Sequence, residues 1–414
     1  MPRLPLATLM AVMDSGSARD PENREGAARL TAKLLVEGTK ARTGSDLAEE
    51  LENLGTSLDT GADWDSSTAR ITFLSEHLDR VTDLLGEVLL GPTFPERELQ
   101  RLKSERIADL LQIESEPRAL ADEAFESFLY SPESRFAIQG GGSQESVAGI
   151  CREDIVNCYD RAYSPAATTF IAAGDVSFNE VREKLSRRFA DWPERRSTNP
   201  ARHNTIASST RRLRILDKPG APQSELRVGH AGLPRNHPDY FPVVVMNAIL
   251  GGLFGSRINL NLREAHGYTY GASSYFDWRK DVGPFVISTA VQTEVTAAAL
   301  KEILIEFEKI REQSVSPSEL SLAKDYLDGV FPIRYETTAA VAAALANMIV
   351  HELPPNYYGE YRANIQAVSA GDVLEAARNH LKAEMLQTMI VGDVSAVSDS
   401  VGALGLGVVE TAAN

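Results

Sequence analysis

Cysteine is nearly absent: Cys151 and Cys158, in ICREDIVNCYD, are the only two in 414 residues. Two helical turns hold such positions about 10 Å apart, too far for a disulfide. Both are expected as free thiols, and the redox compartment stays open. Positive charge is short as well, with 42 Lys and Arg against 58 Asp and Glu, a net charge of -16 and a pI near 5.0. No basic stripe compensates, so nucleic acid is excluded as a partner, since phosphate binding needs clustered Lys and Arg. Long apolar runs are missing too. The longest, such as FPVVVMNAIL (Phe241–Leu250), fall short of the roughly 18 residues of a membrane span, so no membrane partner is expected and the chain reads as soluble. The opening PRLPLATLMAVMDSGS reads as a strand entered directly, without the charged start, apolar stretch and cleavage site of a secretory signal. So abrupt a start is what removal of an upstream segment would leave.

Familiar catalytic motifs are also lacking. The histidines are His77, His203, His230, His237, His266, His351 and His380. None stands three to five residues from another, so no helix offers a two-histidine metal face. There is no CxxC pair, GxSxG elbow, P-loop or GxGxxG after a strand. Alone, the chain carries no complete catalytic centre and no metal site.

What it does carry is a repeat. Gly174-Asp175-Val176-Ser177, closing TTFIAAGDVS, returns as Gly392-Asp393-Val394-Ser395, closing LQTMIVGDVS, an offset of 392 − 174 = 218. FPERELQRLKS matches VSPSELSLAKD, with Glu98 over Glu319 (319 − 98 = 221) and Lys103 over Lys324. LAEELENLGTSLDTGADWD matches INLNLREAHGYTYGASSYFD, with Gly55 over Gly267 (267 − 55 = 212). Landmarks in one order at similar offsets define a tandem. The halves are residues 1–194 and 213–414, joined by a polar linker at 195–212, RRSTNPARHNTIASSTRR.

Each half reads as strands, helices, then a returning strand. STARITFLS alternates as a half-buried strand, HLDRVTDLLGEVLLG is a helix stopped by Pro92, and ERELQRLKSERIADLLQ is a long amphipathic helix. TTFIAAGDV reads as a buried strand. In the second half SELRVGHAGL and GPFVISTAV are strands, while EVTAAALKEILIEFEKIRE and TTAAVAAALANMIVHEL are helices. Sheets covered by helices, repeated twice, give an α+β fold, and a chain of this length with 43% hydrophobic residues fills more than one core.

One helix looks miswritten. GAARLTAKLLVEGT (Gly26–Thr39) sets Arg29 and Lys33 four apart on one face, where like charges repel by a few tenths of a kcal/mol.

With the tandem halves and LREAHGYTYG in the second, this helix resembles that of the M16 (pitrilysin/insulysin-type) zinc peptidases. The likeness is to the short bacterial two-subunit enzymes and the mitochondrial processing peptidases, and it spans the chain except for a first strand. In active members the helix carries H-x-x-E-H, two zinc ligands and the glutamate that activates water. By resemblance those positions fall here on Arg29, Ala32 and Lys33, and the third ligand, a later glutamate, on Asp109. All four are changed, and two cations would repel Zn²⁺. The resemblance lets Lys33 pair with Asp109 instead, and leaves Phe241, Val244 and Val245 at the matching positions of the second half.

Active members also use an arginine and a tyrosine seven apart in the C-terminal half. Arg263 and Tyr270 have that spacing, within SRINLNLREAHGYTYG. The resemblance implies that Tyr270 donates to the oxyanion of the tetrahedral intermediate and Arg263 holds a substrate carbonyl. His266 is expected as a helix-end residue and Tyr268 as a wall aromatic. ILGGLFGSR (Ile249–Arg257) is too short and apolar for the glycine-rich flap of the mitochondrial α-type subunit. The stretch TGADWDSSTAR occupies the family's peptide-binding edge and is expected here as a water-facing edge protected by Asp63, Asp65, Ser66 and Ser67.

The implied role is a non-catalytic subunit of a heterodimeric zinc metallopeptidase, expected to pair 1:1 with an H-x-x-E-H subunit that holds the zinc and to act on peptides or unfolded polypeptide; relatives of this kind point to the periplasm, with the cytoplasm as alternative. A different class remains open: an inert scaffold or peptide-binding core subunit of the same fold, which has no need of Arg263 and Tyr270.

Overall fold

The computed structural model describes residues 4–194 and 204–413; residues 195–203 of the linker lie outside them. The strands are β1 (Leu6–Met13), β2 (Leu58–Ala62), β3 (Ser67–Leu74), β4 (Thr168–Gly174), β5 (Arg212–Asp217), β6 (Gln223–Ala231), β7 (Ala272–Phe276), β8 (Pro284–Gln292), β9 (Gln387–Gly392) and β10 (Val409–Ala413). The first helices are α1 (Ala27–Leu34), α2 (Gly44–Asn53), α3 (Leu78–Leu90), α4 (Glu96–Ser115), α5 (Pro117–Leu129), α6 (Gln144–Gly149), α7 (Arg152–Ala162) and α8 (Phe178–Arg188). Then come α9 (Tyr240–Asn247), α10 (Arg257–Asn259), α11 (Thr296–Glu312), α12 (Pro317–Arg334), α13 (Thr338–Val350), α14 (Tyr357–Ala367), α15 (Ala370–His380) and α16 (Val394–Gly402). The architecture is α+β, with two sheets covered by helices.

The chain packs into two compact units that do not follow chain order. One comprises Met1–Leu110, Ile138–His203 and Ile333–Leu353; the other Leu111–Ala137, Asn204–Pro332 and Pro354–Asn414. Each unit takes a helix from the other half of the sequence. The helices exchanged are α5 and α13, equal in length and offset by 338 − 117 = 221, the repeat offset of Glu98 and Glu319. They are repeat equivalents, traded reciprocally.

In the first unit the sheet order is β2-β3-β1-β4, all antiparallel. Strand β1 is central and buried over seven of its eight residues, and all of these but Thr8 are apolar. From the second sequence half, α13 sets Ala342, Ala346 and Val350 against Met10, Val12 and Ile171. Thr8 hydrogen-bonds Thr338 across the same contact, at 2.8 Å. Strand β4, expected to be buried, is an edge with one buried residue, because no strand pairs with its outer side among the described residues. Strand β2 is the other edge. Of the polar residues expected to shield it, Ser66 and Ser67 are buried instead, because Asp63 folds the turn inward and accepts the main-chain N–H groups of Asp65 and Ser66.

In the second unit the order is β10-β5-β9-β6-β8-β7. Strands β9, β6, β8 and β7 repeat β4, β1, β3 and β2, while β5 and β10 add a parallel pair beyond β9, leaving all of β9 buried. From the first sequence half, α5 packs on β6 and β9. Two buried arginines anchor it: Arg227 to Asp122 (2.5 Å) and to the Arg118 carbonyl (3.0 Å), and Arg279 to Glu126 (2.6 Å). The Arg279–Glu126 pair is covered on both sides, and breaking such a buried pair on one side costs about 3–5 kcal/mol. The repeat extends to single dihedrals. Gly55 and Gly267 each end a helix before an edge strand, at φ 65° and 66°, where only glycine enters without strain.

The helical stretch Tyr240–Ala265 is long and apolar enough to cross a membrane by length and composition, contrary to what the apolar runs alone suggest. Over half of its most apolar window, 56%, is buried inside the fold, so it serves as a core helix.

Candidate functional site

Helix α1 starts where the buried Asp20 carboxylate accepts the N–H groups of Gly26 and Ala28, both at 2.8 Å. Six of its eight residues are buried, and only Arg29 and Lys33 face water. Two cations one turn apart are thereby tolerated, since water screens them. The Arg29 guanidinium lies against Gly140, and Arg106 of α4 donates to the Gly141 carbonyl at 3.1 Å. The expected Lys33–Asp109 pair does not form: both residues are exposed, and no ion pair within 4.0 Å joins them. Helix α4 is held through Lys103 instead, which donates to the carbonyls of Ala148 and Ile150 at 2.9 and 2.6 Å. Arg29, Ala32, Lys33 and Asp109 thus offer two cations, a methyl group and one carboxylate. That set does not fit zinc. The matching positions on α9, Phe241, Val244 and Val245, offer no ligand either. Cys151 and Cys158 are free thiols, as their spacing requires.

Arg263 and Tyr270 flank a helix end and the strand after it. The stretch is fixed by Leu262, fully buried, and by Asn259, whose side chain accepts the Ala272 N–H (3.0 Å) and donates to the Phe254 carbonyl (2.6 Å). Gly267 reverses the chain and Thr269 caps the turn by donating to the Gly271 carbonyl at 2.9 Å. Tyr270 is left standing in water, 93% exposed, and its hydroxyl has no hydrogen-bond partner among the described residues. It lines an open groove of about 460 Å³ with Phe254, Gly251, Gly252, Arg118 and Glu225. Arg263 lies beside this groove, its guanidinium carbon 4.5 Å from the centre of the Phe254 ring and its Nε 3.5 Å from Glu264. His266 stacks on Tyr268 at 4.9 Å and lies 3.8 Å from Glu302, as a helix-end residue should.

Chemically the groove offers a free phenol, an aromatic wall and charges of both signs, and no nucleophile–base pair. Phe254, Arg118 and Glu225 were not singled out by sequence. Phe254 left a signal, an aromatic among the glycines of ILGGLFGSR that is 70% exposed. Arg118 left none, since it reaches the groove only through the exchanged helix.

Comparison with known proteins bears on this arrangement. Residues 3–135 match the family model described as insulinase (peptidase family M16), and residues 149–327 that described as peptidase M16 inactive domain. A Helicobacter pylori protein named non-peptidase homolog YmxG is 25% identical over 94% of this chain and 90% of its own length. An Arabidopsis thaliana protein named probable mitochondrial-processing peptidase subunit beta is 22% identical over 95% of this chain and 75% of its own. The crystal structure of a peptidase M16 inactive domain from Pseudomonas fluorescens superposes with a TM-score of 0.87 at 26% identity, covering 94% of this chain and 93% of that one.

Proposed function

Because the chain belongs to the peptidase M16 family and is a non-catalytic member of it, we propose that it completes the active site of a zinc-bearing H-x-x-E-H subunit by presenting Tyr270 and Arg263. The observation that carries this reading is the exposure of Tyr270: a phenol held in water at a groove, with no hydrogen-bond partner among the described residues. The cationic zinc-motif positions support it, because hydrolysis then depends on a metal held by another chain. The relative named as a subunit of a processing peptidase supports a partnership.

In the mechanism proposed, a zinc ion held by the partner's H-x-x-E-H positions would supply the activated water for hydrolysis of a peptide bond; this chain's own residues act on the substrate. The Tyr270 hydroxyl donates to the carbonyl oxygen of that bond as it becomes an oxyanion, a contact made only in the transition state. Arg263 holds a neighbouring carbonyl of the peptide and fixes its register.

The test is a search of the source genome for an H-x-x-E-H homologue of similar length, co-expression of the two chains and peptide hydrolysis by the purified pair. Tyr270→Phe should lower kcat by about 10²-fold with KM little changed, while Arg263→Ala should act mainly on KM. Full activity in Tyr270→Phe would sink the catalytic role and leave the scaffold reading.

A further inference from the structure

Away from the groove, the second unit gathers three ligand-type side chains that the sequence keeps far apart. His237 lies in the turn before α9, Asp239 is the residue preceding α9, and His380 ends α15. His380 Nε2 lies 2.7 Å from an Asp239 carboxylate oxygen. The Asp239 main-chain N–H donates to His237 Nδ1 at 3.1 Å. The two imidazoles meet edge to face, their centres 5.0 Å apart. One ligand atom from each residue lies within 4.8 Å of the others.

A zinc ion holds its nitrogen and oxygen ligands at about 2.0–2.2 Å, which sets them roughly 3.3 Å apart in a tetrahedron. The spacings here bracket that figure, so side-chain rotations close the set without moving either helix. The Asp239 side chain is 45% exposed and that of His380 11%, which gives an ion a route in and leaves its remaining position to water. The last carbonyls of α15 add negative potential beside His380. Two imidazoles and one carboxylate select borderline divalent ions over Ca²⁺ and Mg²⁺, which take oxygen.

We infer that His237, Asp239 and His380 form a binding site for a divalent cation of the Zn²⁺, Co²⁺ and Ni²⁺ class, which fastens the start of α9 to the end of α15. On binding at His380 Nε2, the ion replaces the hydrogen bond between that nitrogen and Asp239, and the neutral ring carries its one hydrogen on Nδ1. His237 Nδ1 exchanges the main-chain N–H for the metal. The site is separate from the zinc-motif positions on α1 and independent of Arg263 and Tyr270.

The full, untagged chain titrated with Co²⁺ should develop saturable visible d–d bands at one ion per chain, and Zn²⁺ should displace them. His237→Asn and His380→Gln should each weaken Zn²⁺ binding at least tenfold, and Zn²⁺ should raise the melting temperature of the wild type and not of His237→Asn. Should the variants misfold, Zn²⁺ should still protect His237 and His380 of the wild type from carbethoxylation, mapped by mass spectrometry. No saturable band, equal affinity in the variants or no protection would reduce the cluster to a hydrogen-bonded contact between two helices and overturn the inference.

Discussion

Arg263 stacks its guanidinium on Phe254, with the carbon 4.5 Å from the ring centre, and Phe254 shares its groove with Tyr270. The contact joins the two proposed functional side chains through a third. Partly exposed stacks of this kind are worth about 0.5–1 kcal/mol, enough to bias the Arg263 rotamer. In the assembled enzyme Phe254→Ala should raise KM about two- to fivefold and spare kcat, and Phe254→Tyr should restore it. A fall in kcat as large as that of Tyr270→Phe, at unchanged KM, would show that Phe254 does more than position Arg263.

Arg257 and Glu319 form a two-point ion pair, at 2.6 and 3.2 Å, and Glu319 also accepts the Ser316 N–H and hydroxyl at 2.8 Å each. The Arg257 hydrogen bond, then those from Ser316, hold the carboxyl down at about 2. A depressed carboxyl stabilises the fold above its unfolded value of about 4.5 and loses that contribution as pH falls toward 2. The pair is partly in water, so its worth is about 1 kcal/mol. Glu319→Gln should lower the melting temperature at neutral pH and close the gap to wild type near pH 2; an equal gap at both pH values would assign the loss to packing.

The repeat, the α+β class and the long helices were legible because each rests on local pattern: alternation in β3, helical periodicity in α3 and α11, a glycine at each helix end. The exchange of α5 and α13 was not. An amphipathic helix announces that it has an apolar face and is silent on which sheet will cover it, so Arg118 could not be assigned to a groove built mainly from residues beyond 225. The exposure of β4 was hidden for a related reason, since TTFIAAG is as apolar as the repeat strand TMIVG and only strand order separates an edge from a centre. Arg263 and Tyr270 came from a motif. The opposition of Arg29 to Gly140, in place of a Lys33–Asp109 pair, depends on a loop that no spacing rule reaches.

His230 gives a second and separable pH response. It is buried, its Nδ1–H donating to the Ala231 carbonyl at 2.8 Å while its Nε2 accepts the Lys382 N–H at 3.2 Å. Burial drives its pKa down to about 4, against a partial rise from the Ala231 carbonyl. The native state keeps the ring neutral while the unfolded chain protonates near 6.5, so stability is complete above pH 6.5 and is lost as pH falls to 4. The drop is about 3 kcal/mol at most. His230→Gln should flatten the urea-unfolding free energy between pH 6.5 and 4 and leave the Glu319 response below it. An unchanged slope would mean that other groups carry the acid sensitivity.

The exchanged helix makes the sharpest demand on the fold. Ala342 belongs to the second half of the sequence, yet it is fully buried among Met10, Val12 and Ile171 of the first. A larger side chain there must displace those neighbours, and overpacking costs about 1–3 kcal/mol. Ala342→Leu should therefore weaken amide protection in β1 and β4, far away in sequence, and spare β6, β8 and β9, which lie nearer along the chain. Hydrogen exchange read by mass spectrometry separates the two patterns, because peptides from residues 6–13 and 168–174 are distinct from those of 223–231 and 387–392. Loss of protection confined to β6 and β9 would mean that α13 packs with its own half, and the reciprocal trade with α5 would fall with it.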